Sequence, residues 1–560
     1  MKAFVWIAAA LVLLSGAAGA APPNAGGFET LRAAYAAKDA NAAATAYAPD
    51  AEVLYRYAGT PEDRRVGTAA IAASFRELFD QIDPATPLDL NFRVAETAGD
   101  RRVGYYRLRI GKAASYGRFE TRVGPDGRFV QDISSDATLA DFETAAGPLM
   151  FADEDEVLDR DFHEGLTGRY RLPDGCVLVV TRSVVRLFAR NSCDNSFRGL
   201  NRLSGLEWTA GDRVRSDKAV ATWRFAAPAG GASASVTVDG VTAKRADAYR
   251  RERVVFPAKD GVKLAGQLYL PTGLSGPAPA VVLIHGSGPQ DRDGYASIVA
   301  VMADALAASG RVVLTYDKRG VDGSGGDWSR AGFEVLAQDA MAGMALLAAR
   351  PEVDAGRIGL AGSSQAGWVA ASVLRQGGRP ADVFLLGAAG AALTVAEQNL
   401  YNTKVRMGCA GVAAADIDLA LRQQSAFFAF LRDDRTAPQL DRLTAEGRKR
   451  AALRDWLFPA SGEVDRSAGD WFVTLDPAFD PLPLWRAYGG RAMFVFAEHD
   501  DSTPTAVAAG RLKGTAVEVR TLAGAQHLGL GAGDVCRAEL TDVTGFSAEL
   551  FKALDAFASG

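Results

Sequence analysis

Residues 357–375, RIGLAGSSQAGWVAASVLR, constrain the fold of this chain more than any other segment. The run IGLAG is short and fully apolar, which is typical of a strand covered on both faces, and WVAASVLR favours a helix. The turn between them places small residues, Gly362 and Ala366, two positions before and two after Ser364. Larger side chains there would collide with neighbouring backbone. This strand, turn and helix therefore predict a sharp elbow that presents Ser364 as a nucleophile, with Ala366 standing where Gly is usual.

Alternating strand and helix patterns surround this elbow over residues 248–560. The runs VVLIHG and VVLTYD are as apolar as IGLAG, and helical stretches separate them. Together they predict a doubly wound, mostly parallel sheet of the α/β class. About 100 residues of helical, charged sequence between FLLGAA and AMFVFAEHD exceed a normal connection. We expect a helical cap inserted at about 392–485.

A catalytic acid is expected after a later strand, because partners of such an elbow follow in the order Ser, acid, His. Asp500 ends the run AMFVFAEHD, where its carboxylate would reach an imidazole. Asp501 and Glu498 are rival acids in the same loop. Asp500 is favoured by its position at the strand end.

The expected base is His527, which follows the last strand pattern. His285 lies in a different loop and His499 beside the acid, so His527 is assigned by elimination. A Ser hydroxyl becomes a good nucleophile only when a neutral imidazole accepts its proton and a carboxylate fixes that imidazole.

Attack by the serine would create an oxyanion on the substrate, which needs hydrogen-bond donors beside Ser364, Asp500 and His527. The Gly-rich turn in VVLIHGSGPQDRDG follows the third strand, and its backbone N–H at Ser287 is expected to act with that of Gln365, next to the nucleophile.

Residues 250–560 resemble serine hydrolases of the α/β-hydrolase superfamily, near the dienelactone-hydrolase-like and exported esterase branches. The motifs that carry the resemblance are IHGSGPQDRDG, YDKRGVDGSGG, GSSQAG and AEHDDSTP. It implies a triad of Ser364, Asp500 and His527 that cleaves carboxylic esters through an acyl-enzyme, without a cofactor. A peptidase of the prolyl oligopeptidase type is an alternative, although no blade-length repeat precedes the domain. A non-catalytic small-molecule-binding protein with a hydrolase fold is another.

Five charged residues in the motifs IHGSGPQDRDG and YDKRGVDGSGG are expected to stabilise their loops rather than contact substrate. Asp317 and Arg319 are expected to hold their loop by charge-assisted hydrogen bonds. Asp291, Arg292 and Asp293 are expected to do the same at the rim of a pocket.

Residues 1–20 have the pattern of a secretory signal peptide: Lys2, an apolar run, and Ala18-Gly19-Ala20 as a cleavage signal. The run is about half of the 20 apolar residues that a membrane anchor needs. The mature protein is expected to be soluble and exported, periplasmic or extracellular.

Residues 21–148 predict an α+β domain in which helices precede a sheet. The phrases YAPDAEV and GTAAIAASFRELF resemble the nuclear transport factor 2-like (NTF2-like) cone, especially its SnoaL-like branch. This span contains no His, which favours a binding, spacing or assembly role and leaves acids such as Asp50 as minor catalytic candidates.

Residues 149–247 predict a small all-β module, from short β runs and turn signals such as Pro173-Asp174-Gly175. Its His163 is expected to be exposed, and the module to carry no chemistry. The domain of residues 21–148, which lacks His, is expected to be dispensable for the reaction.

The chain has four cysteines, an even number that suits export and two disulfides. The expected pairs are Cys176 with Cys193 and Cys409 with Cys536. The four His residues are scattered and no cysteines form a C-x-x-C pair, so no metal site is predicted. With 62 basic against 67 acidic residues in 560, no nucleic-acid partner is indicated and a small molecule is expected. The oligomeric state is not predicted.

Overall fold

The computed structural model describes residues 27–57, 60–98, 100–110, 113–137, 160–183, 186–204, 206–216, 218–464 and 474–560. Residues 160–202 and 206–560 form one compact unit, and residues 27–137 belong to a second. The expected signal peptide lies outside the described residues. In the ranges above, no helix has the length and apolar character needed to cross a membrane.

The unit of residues 27–137 is α+β, as predicted, while its relationship to the NTF2-like family stays a prediction. Its six strands are ordered β2-β1-β6-β5-β4-β3, with β1 and β6 parallel and the other pairs antiparallel. In chain order its elements are α1 (Gly27–Ala37), α2 (Ala40–Ala44), β1 (Tyr47–Arg56), β2 (Asp63–Val66), α3 (Thr68–Phe79), β3 (Leu88–Ala98), β4 (Arg101–Ile110), β5 (Ala113–Val123) and β6 (Phe129–Asp136).

Asp132 on β6, and not Asp50, is the buried acid of this unit. Its carboxylate accepts a hydrogen bond of 3.0 Å from the Tyr47 hydroxyl, and burial raises the pKa of Asp132 to about 6. Asp50 is exposed because it lies where the register between β1 and β6 shifts, which turns it to solvent. The candidacy of Asp50 as a pocket acid was wrong for this reason.

The second unit begins with helix α4 (Arg160–Leu166) and a closed eight-stranded barrel. The strands run β10-β11-β12-β13-β14-β7-β8-β9 around it. Their bounds are β7 (Gly168–Arg171), β8 (Val177–Arg182), β9 (Leu187–Asn191), β10 (Phe197–Ser204), β11 (Glu207–Gly211), β12 (Ala219–Phe225), β13 (Ser235–Val238) and β14 (Val241–Arg245). The predicted disulfide Cys176–Cys193 is present, with Cα atoms 5.6 Å apart. It joins the start of β8 to the end of β9.

His163 is buried, contrary to the expectation that it is exposed. Only 2% of the residue is accessible, and its ring packs edge-on against Trp208 with centroids 5.6 Å apart. The polar sequence around His163 concealed this, because the helix α4 folds back against the barrel core.

An eight-stranded sheet follows, with strand order β15-β16-β18-β17-β19-β20-β21-β22. β16 pairs antiparallel with both β15 and β18, and the remaining five strand pairs are parallel, so the sheet is mostly parallel, as predicted. The strands are β15 (Tyr249–Pro257), β16 (Lys263–Pro271), β17 (Ala278–Ile284), β18 (Val312–Tyr316), β19 (Val353–Ser363), β20 (Asp382–Leu386), β21 (Arg491–Ala497) and β22 (Glu518–Leu522). The helices that connect them are α5 (Ile298–Ala308), α6 (Phe333–Ala348), α7 (Ala366–Arg375), α12 (Thr505–Arg511) and, after β22, α13 (Ala548–Ser559).

The long connection between β20 and β21 is helical, as expected for a cap. In its described residues it contains α8 (Val395–Cys409), α9 (Ala414–Arg432), α10 (Ala437–Gly447) and α11 (Leu482–Ala487). Met407, Phe427 and Leu440 belong to a small core of its own. The predicted disulfide Cys409–Cys536 is present and ties the end of α8 to the segment that follows β22.

The barrel packs directly against the sheet domain within the same unit. The backbone N–H of Phe197 donates to the carbonyl of Thr544 and that of Val214 to the carbonyl of Val543, each over 2.9 Å. The ring of Phe197 also lies 4.7 Å from that of Phe546. Part of the barrel core is therefore continuous with the core beneath the large sheet.

A buried ion cluster crosses this contact. Arg182 of β8 lies 3.0 Å from Asp293 and 3.3 Å from Asp291. The two acids were expected at a pocket rim; both are buried, Asp293 lines a small cavity together with Arg182, and the guanidinium supplies the opposite charge that burial requires. Arg292 pairs with Asp317 over 2.6 Å, which agrees with a loop-holding role for both.

Candidate active site

The site residues lie on loops at one edge of the large sheet. Strands β17, β19, β20, β21 and β22 are parallel, so their carboxyl ends share that edge. The loops after these strands carry Gly286, Ser364, Gly387, Asp500 and His527, in that order. Five segments far apart in sequence thus meet at one place.

Ser364 occupies the predicted elbow between β19 and α7. Its φ of 56° is in the left-handed region, which non-glycine residues rarely adopt and which marks a strained, functional turn. A Cβ on Gly362 would lie 2.5 Å from that of Ala366 and 2.5 Å from the carbonyl oxygen of Ile284. Ala366 is tolerated at its position because Gly362 has no side chain.

His527 and Asp500 form a hydrogen-bonded pair. The imidazole Nδ1 lies 2.9 Å from both carboxylate oxygens of Asp500, whose side chain is fully buried. Backbone N–H groups of Ser502 and Thr503 donate to Asp500 Oδ1 over 2.8 and 2.7 Å. These two hydrogen bonds hold the carboxylate in place.

The pKa of His527 is raised above its ordinary value of 6.5. Burial alone would lower it, but the negative charge of Asp500 and the hydrogen bond to it outweigh burial. The pair therefore stabilises an imidazolium, the species that forms when His527 accepts a proton.

Both His527 and Ser364 contact the end of β20. The backbone N–H of Ser364 donates to the carbonyl of Leu386 over 2.9 Å. A Cβ on Gly387 would lie 2.5 Å from the carbonyl oxygen of His527 and 3.1 Å from its Nδ1. The absence of a side chain at Gly387 lets the histidine loop approach the strand that also supports the elbow.

The rival acids have other partners. Asp501 forms an ion pair of 2.8 Å with Arg406 of α8, and Glu498 accepts a hydrogen bond from the backbone N–H of Gly524. Neither is hydrogen-bonded to His527 in the described residues.

The other histidine near the elbow is not a base. His285 is buried and donates through Nε2 to the carbonyl of Tyr316, and burial, reinforced by the positive charge of Lys318, lowers the pKa of His285 to about 3. It is therefore a neutral structural residue.

The backbone amides at Ser287 and Gln365 flank the nucleophile. A Cβ on Gly286 would lie 3.6 Å from the Cβ of Ser364, which brings the glycine-rich loop beside the elbow. Neither amide donates to an acceptor within the described parts of the chain. Both donors are thus available for a substrate oxygen.

The cap helix α8 supports the acid loop, a role that sequence reasoning missed. The Tyr401 hydroxyl donates to the backbone carbonyl of Asp500 over 2.9 Å, and the Asn402 amide donates to that of Asp501 over 3.0 Å. Since these partners are about 100 residues apart, no local pattern could have revealed the contacts.

Known proteins resemble parts of this chain. The family described as X-Pro dipeptidyl-peptidase (S15 family) matches residues 260–453. Esterase EstD of Thermotoga maritima is 49% identical over 59 residues, 10% of this chain and 14% of that protein. An uncharacterized protein of Mycobacterium tuberculosis is 36% identical over 123 residues, 22% of this chain and 41% of that protein. The chain thus matches less than half the length of these curated relatives.

A solved structure, Est1E of Butyrivibrio proteoclasticus with ferulic acid bound, aligns with a TM-score of 0.35 and 16% identity over 54% of this chain and 97% of that one. The family match covers part of the sheet domain, and the order and direction of strands β15–β22, with the elbow after β19, are those of an α/β-hydrolase fold.

Proposed function

We propose that this protein is an exported serine hydrolase that cleaves carboxylic esters through an acyl-enzyme. The observation that carries the proposal is the hydrogen-bonded pair of His527 and Asp500 at the same strand ends as the strained elbow of Ser364. A nucleophile, a base and a buried acid on three successive loops are the parts that acyl transfer requires.

In the proposed first step, Ser364 Oγ attacks the ester carbonyl carbon while His527 Nε2 accepts the hydroxyl proton. The carbonyl oxygen becomes an oxyanion, which the backbone N–H groups of Ser287 and Gln365 stabilise. Asp500 holds the Nδ1–H tautomer, so that Nε2 carries the lone pair.

The tetrahedral intermediate then expels the alcohol, which takes its proton from His527 and leaves an ester on Ser364. Water repeats the sequence: His527 accepts its proton, the hydroxide adds to the acyl carbon, and Ser364 leaves with the proton returned. Each proton that His527 accepts is given back, and no cofactor is needed.

Export is supported by the amino-terminal sequence and by the two disulfides, which persist in oxidising compartments. A periplasmic or extracellular location follows from the proposal.

The test is hydrolysis of p-nitrophenyl acetate and butyrate by the purified full chain. Ser364→Ala is expected to reduce turnover to the background rate without lowering the melting temperature, since it removes one hydroxyl. Ser363→Ala, the buried neighbour at the end of β19, is the matched control and should retain activity. Labelling by a fluorophosphonate, located on Ser364 by mass spectrometry, would identify the nucleophile. Wild-type turnover in Ser364→Ala would contradict the mechanism.

A peptidase is the second candidate, because the matching family is described as X-Pro dipeptidyl-peptidase. The same triad chemistry cleaves amides. An X-Pro p-nitroanilide measured beside the esters separates the two, since a peptidase would turn over the anilide with the higher kcat/KM. Absence of turnover with both classes would favour a binding protein.

A further inference from the structure

Lys318 is a buried cation that contacts both the glycine-rich loop after β17 and the elbow after β19. It follows β18 in the motif YDKRG, and only 3% of the residue is exposed. Its Nζ donates to the carbonyl oxygens of Gly286 and Gly288, each over 2.6 Å, and to the side-chain oxygen of Gln365 over 3.1 Å. The three N–H donors of an ammonium are thereby matched by three acceptors.

The contact with Gly286 determines where the next amide points. A trans peptide unit is planar, so its C=O and N–H point in opposite directions. With the Gly286 carbonyl directed at Lys318, the N–H of Ser287 is directed away from Lys318. Gln290 braces the following peptide, because its Nε2 donates to the Ser287 carbonyl over 2.8 Å.

Lys318 also contacts the second candidate donor residue. Gln365, whose backbone N–H adjoins the nucleophile, is held through its side-chain oxygen. One ammonium group therefore links the loop after β17 to the elbow after β19. These are the two segments that would have to keep a fixed separation around an oxyanion.

Stability alone does not explain this lysine. No carboxylate pairs with its Nζ in the described ranges, and burial lowers the pKa of Lys318 to about 7. An unpaired buried charge is costly, and such perturbed groups concentrate at functional sites. By contrast, buried arginines of the same domain, such as Arg311 and Arg319, form ion pairs with carboxylates.

We propose that Lys318 is a positioning residue that aims and polarises the N–H groups of Ser287 and Gln365 toward the substrate oxygen. The inference rests on the proposed hydrolase function and extends it. The charge next to the Gly286 carbonyl withdraws electron density from that peptide, which makes the N–H of Ser287 a stronger donor. Donors aimed in advance at the developing charge act on the transition state more than on the bound ester.

The test compares Lys318→Met and Lys318→Gln in the full chain. Loss of one oxyanion donor typically lowers kcat by about 10²–10³. Lys318→Met should lower kcat for p-nitrophenyl acetate to that extent while KM changes by less than about threefold. Lys318→Gln keeps two N–H donors, and its kcat should lie between those of Lys318→Met and the wild type.

An alkyl trifluoromethyl ketone provides a readout that a structural role would not change. Its adduct with a serine carries the oxyanion, so its Ki should rise by about the factor by which kcat falls. A substrate-like amide that forms no adduct should bind equally well to the wild type and both variants.

Arg311→Met is the matched control. Arg311 is a buried cation at the opposite end of the same strand, where it donates to Asp382 and to backbone carbonyls of α13. This variant should melt at a lower temperature, with kcat and Ki unchanged per folded molecule.

The outcomes are distinct. If the wild type hydrolyses no ester or amide, the proposed function fails first. If the wild type is active and a folded Lys318 variant keeps kcat and Ki within threefold of it, the positioning role is wrong. It is also wrong if KM rises while kcat holds, or if neither Lys318 variant folds at 20 °C.

Discussion

Asp500→Asn is the substitution that most directly examines the acid and base. In the native protein, Oδ1 of Asp500 accepts hydrogen bonds from Ser502 N and Thr503 N. An asparagine has one acceptor oxygen, and these two donors will hold it at the Oδ1 position. Its NH₂ group then lies at the Oδ2 position, 2.9 Å from His527 Nδ1.

Nδ1 then lies 2.9 Å from an NH₂ donor as well as from the amide oxygen, so the preference for a proton on Nδ1 is lost. The tautomer with its proton on Nε2 becomes favoured, and in that tautomer the ring does not accept a proton from Ser364. The Asp500 position is fully buried, so water does not restore the lost charge. The comparable change in serine proteases lowers kcat by about 10⁴. We expect a fall of about 10³–10⁴, equivalent to about 4–5.5 kcal/mol in the activation barrier.

The assay is kcat for p-nitrophenyl butyrate between pH 5 and 9. The wild-type rate should rise from pH 5 as His527 becomes neutral, with a midpoint above 6.5, because the pKa of His527 is raised by Asp500. At higher pH it should fall again if Lys318, whose pKa is lowered to about 7, acts as proposed. Asp501→Asn is the matched control, since it makes the same change one residue away. Its rate at pH 8 should stay within about twofold of the wild type, and its midpoint should fall slightly, because the charge of Asp501 also raises the pKa of His527.

The reasoning is refuted if Asp501→Asn loses activity while Asp500→Asn keeps it, which would exchange their roles. A wild-type rate that falls as the pH rises from 5 to 6.5 would also contradict it, since a base must be unprotonated to act.

Three further predictions concern stability. The folded pKa of Asp132 is raised from 3.8 to about 6, so its contribution to the free energy of unfolding is fully present below pH 4 and is lost as the pH rises through 6, a change of about 3 kcal/mol. Urea unfolding of the amino-terminal unit at pH 4 and 8 should show this loss, and Asp132→Asn should abolish the pH dependence. Deleting residues 1–159 should leave ester hydrolysis intact. Deleting residues 1–247 should yield aggregated protein on size-exclusion chromatography, because it exposes Phe546 and removes Arg182 from the buried Asp291 and Asp293. An active monomer that lacks the barrel would contradict this. Replacing Cys409 and Cys536 by Ser should lower the free energy of unfolding by about 5 kcal/mol, and replacing Cys176 and Cys193 should lower it by about 3 kcal/mol, because the sequence separations are 127 and 17. Equal losses would contradict the chain-entropy explanation.

The sequence alone was sufficient for features that depend on local chemistry. The elbow at Ser364 could be recognised because the tight turn requires small residues within two positions of the serine, and the apolar strand and helix on either side are visible in the periodicity. The helical insertion between β20 and β21 could be predicted from the length of that connection. The position of Asp500 at a strand end and the even number of cysteines pointed to pairings that the structure contains.

The tertiary structure decided which distant side chains meet. Arg182 reaches Asp291 and Asp293 across more than 100 residues, and Tyr401 reaches Asp500 across 99. Lys318 stands in a motif that the sequence displays, yet its three acceptors come from two other loops. The physical reason is that a buried polar group must find partners wherever the packed chain offers them. Local pattern reports that a residue is charged or apolar, while its partner depends on which strands become neighbours.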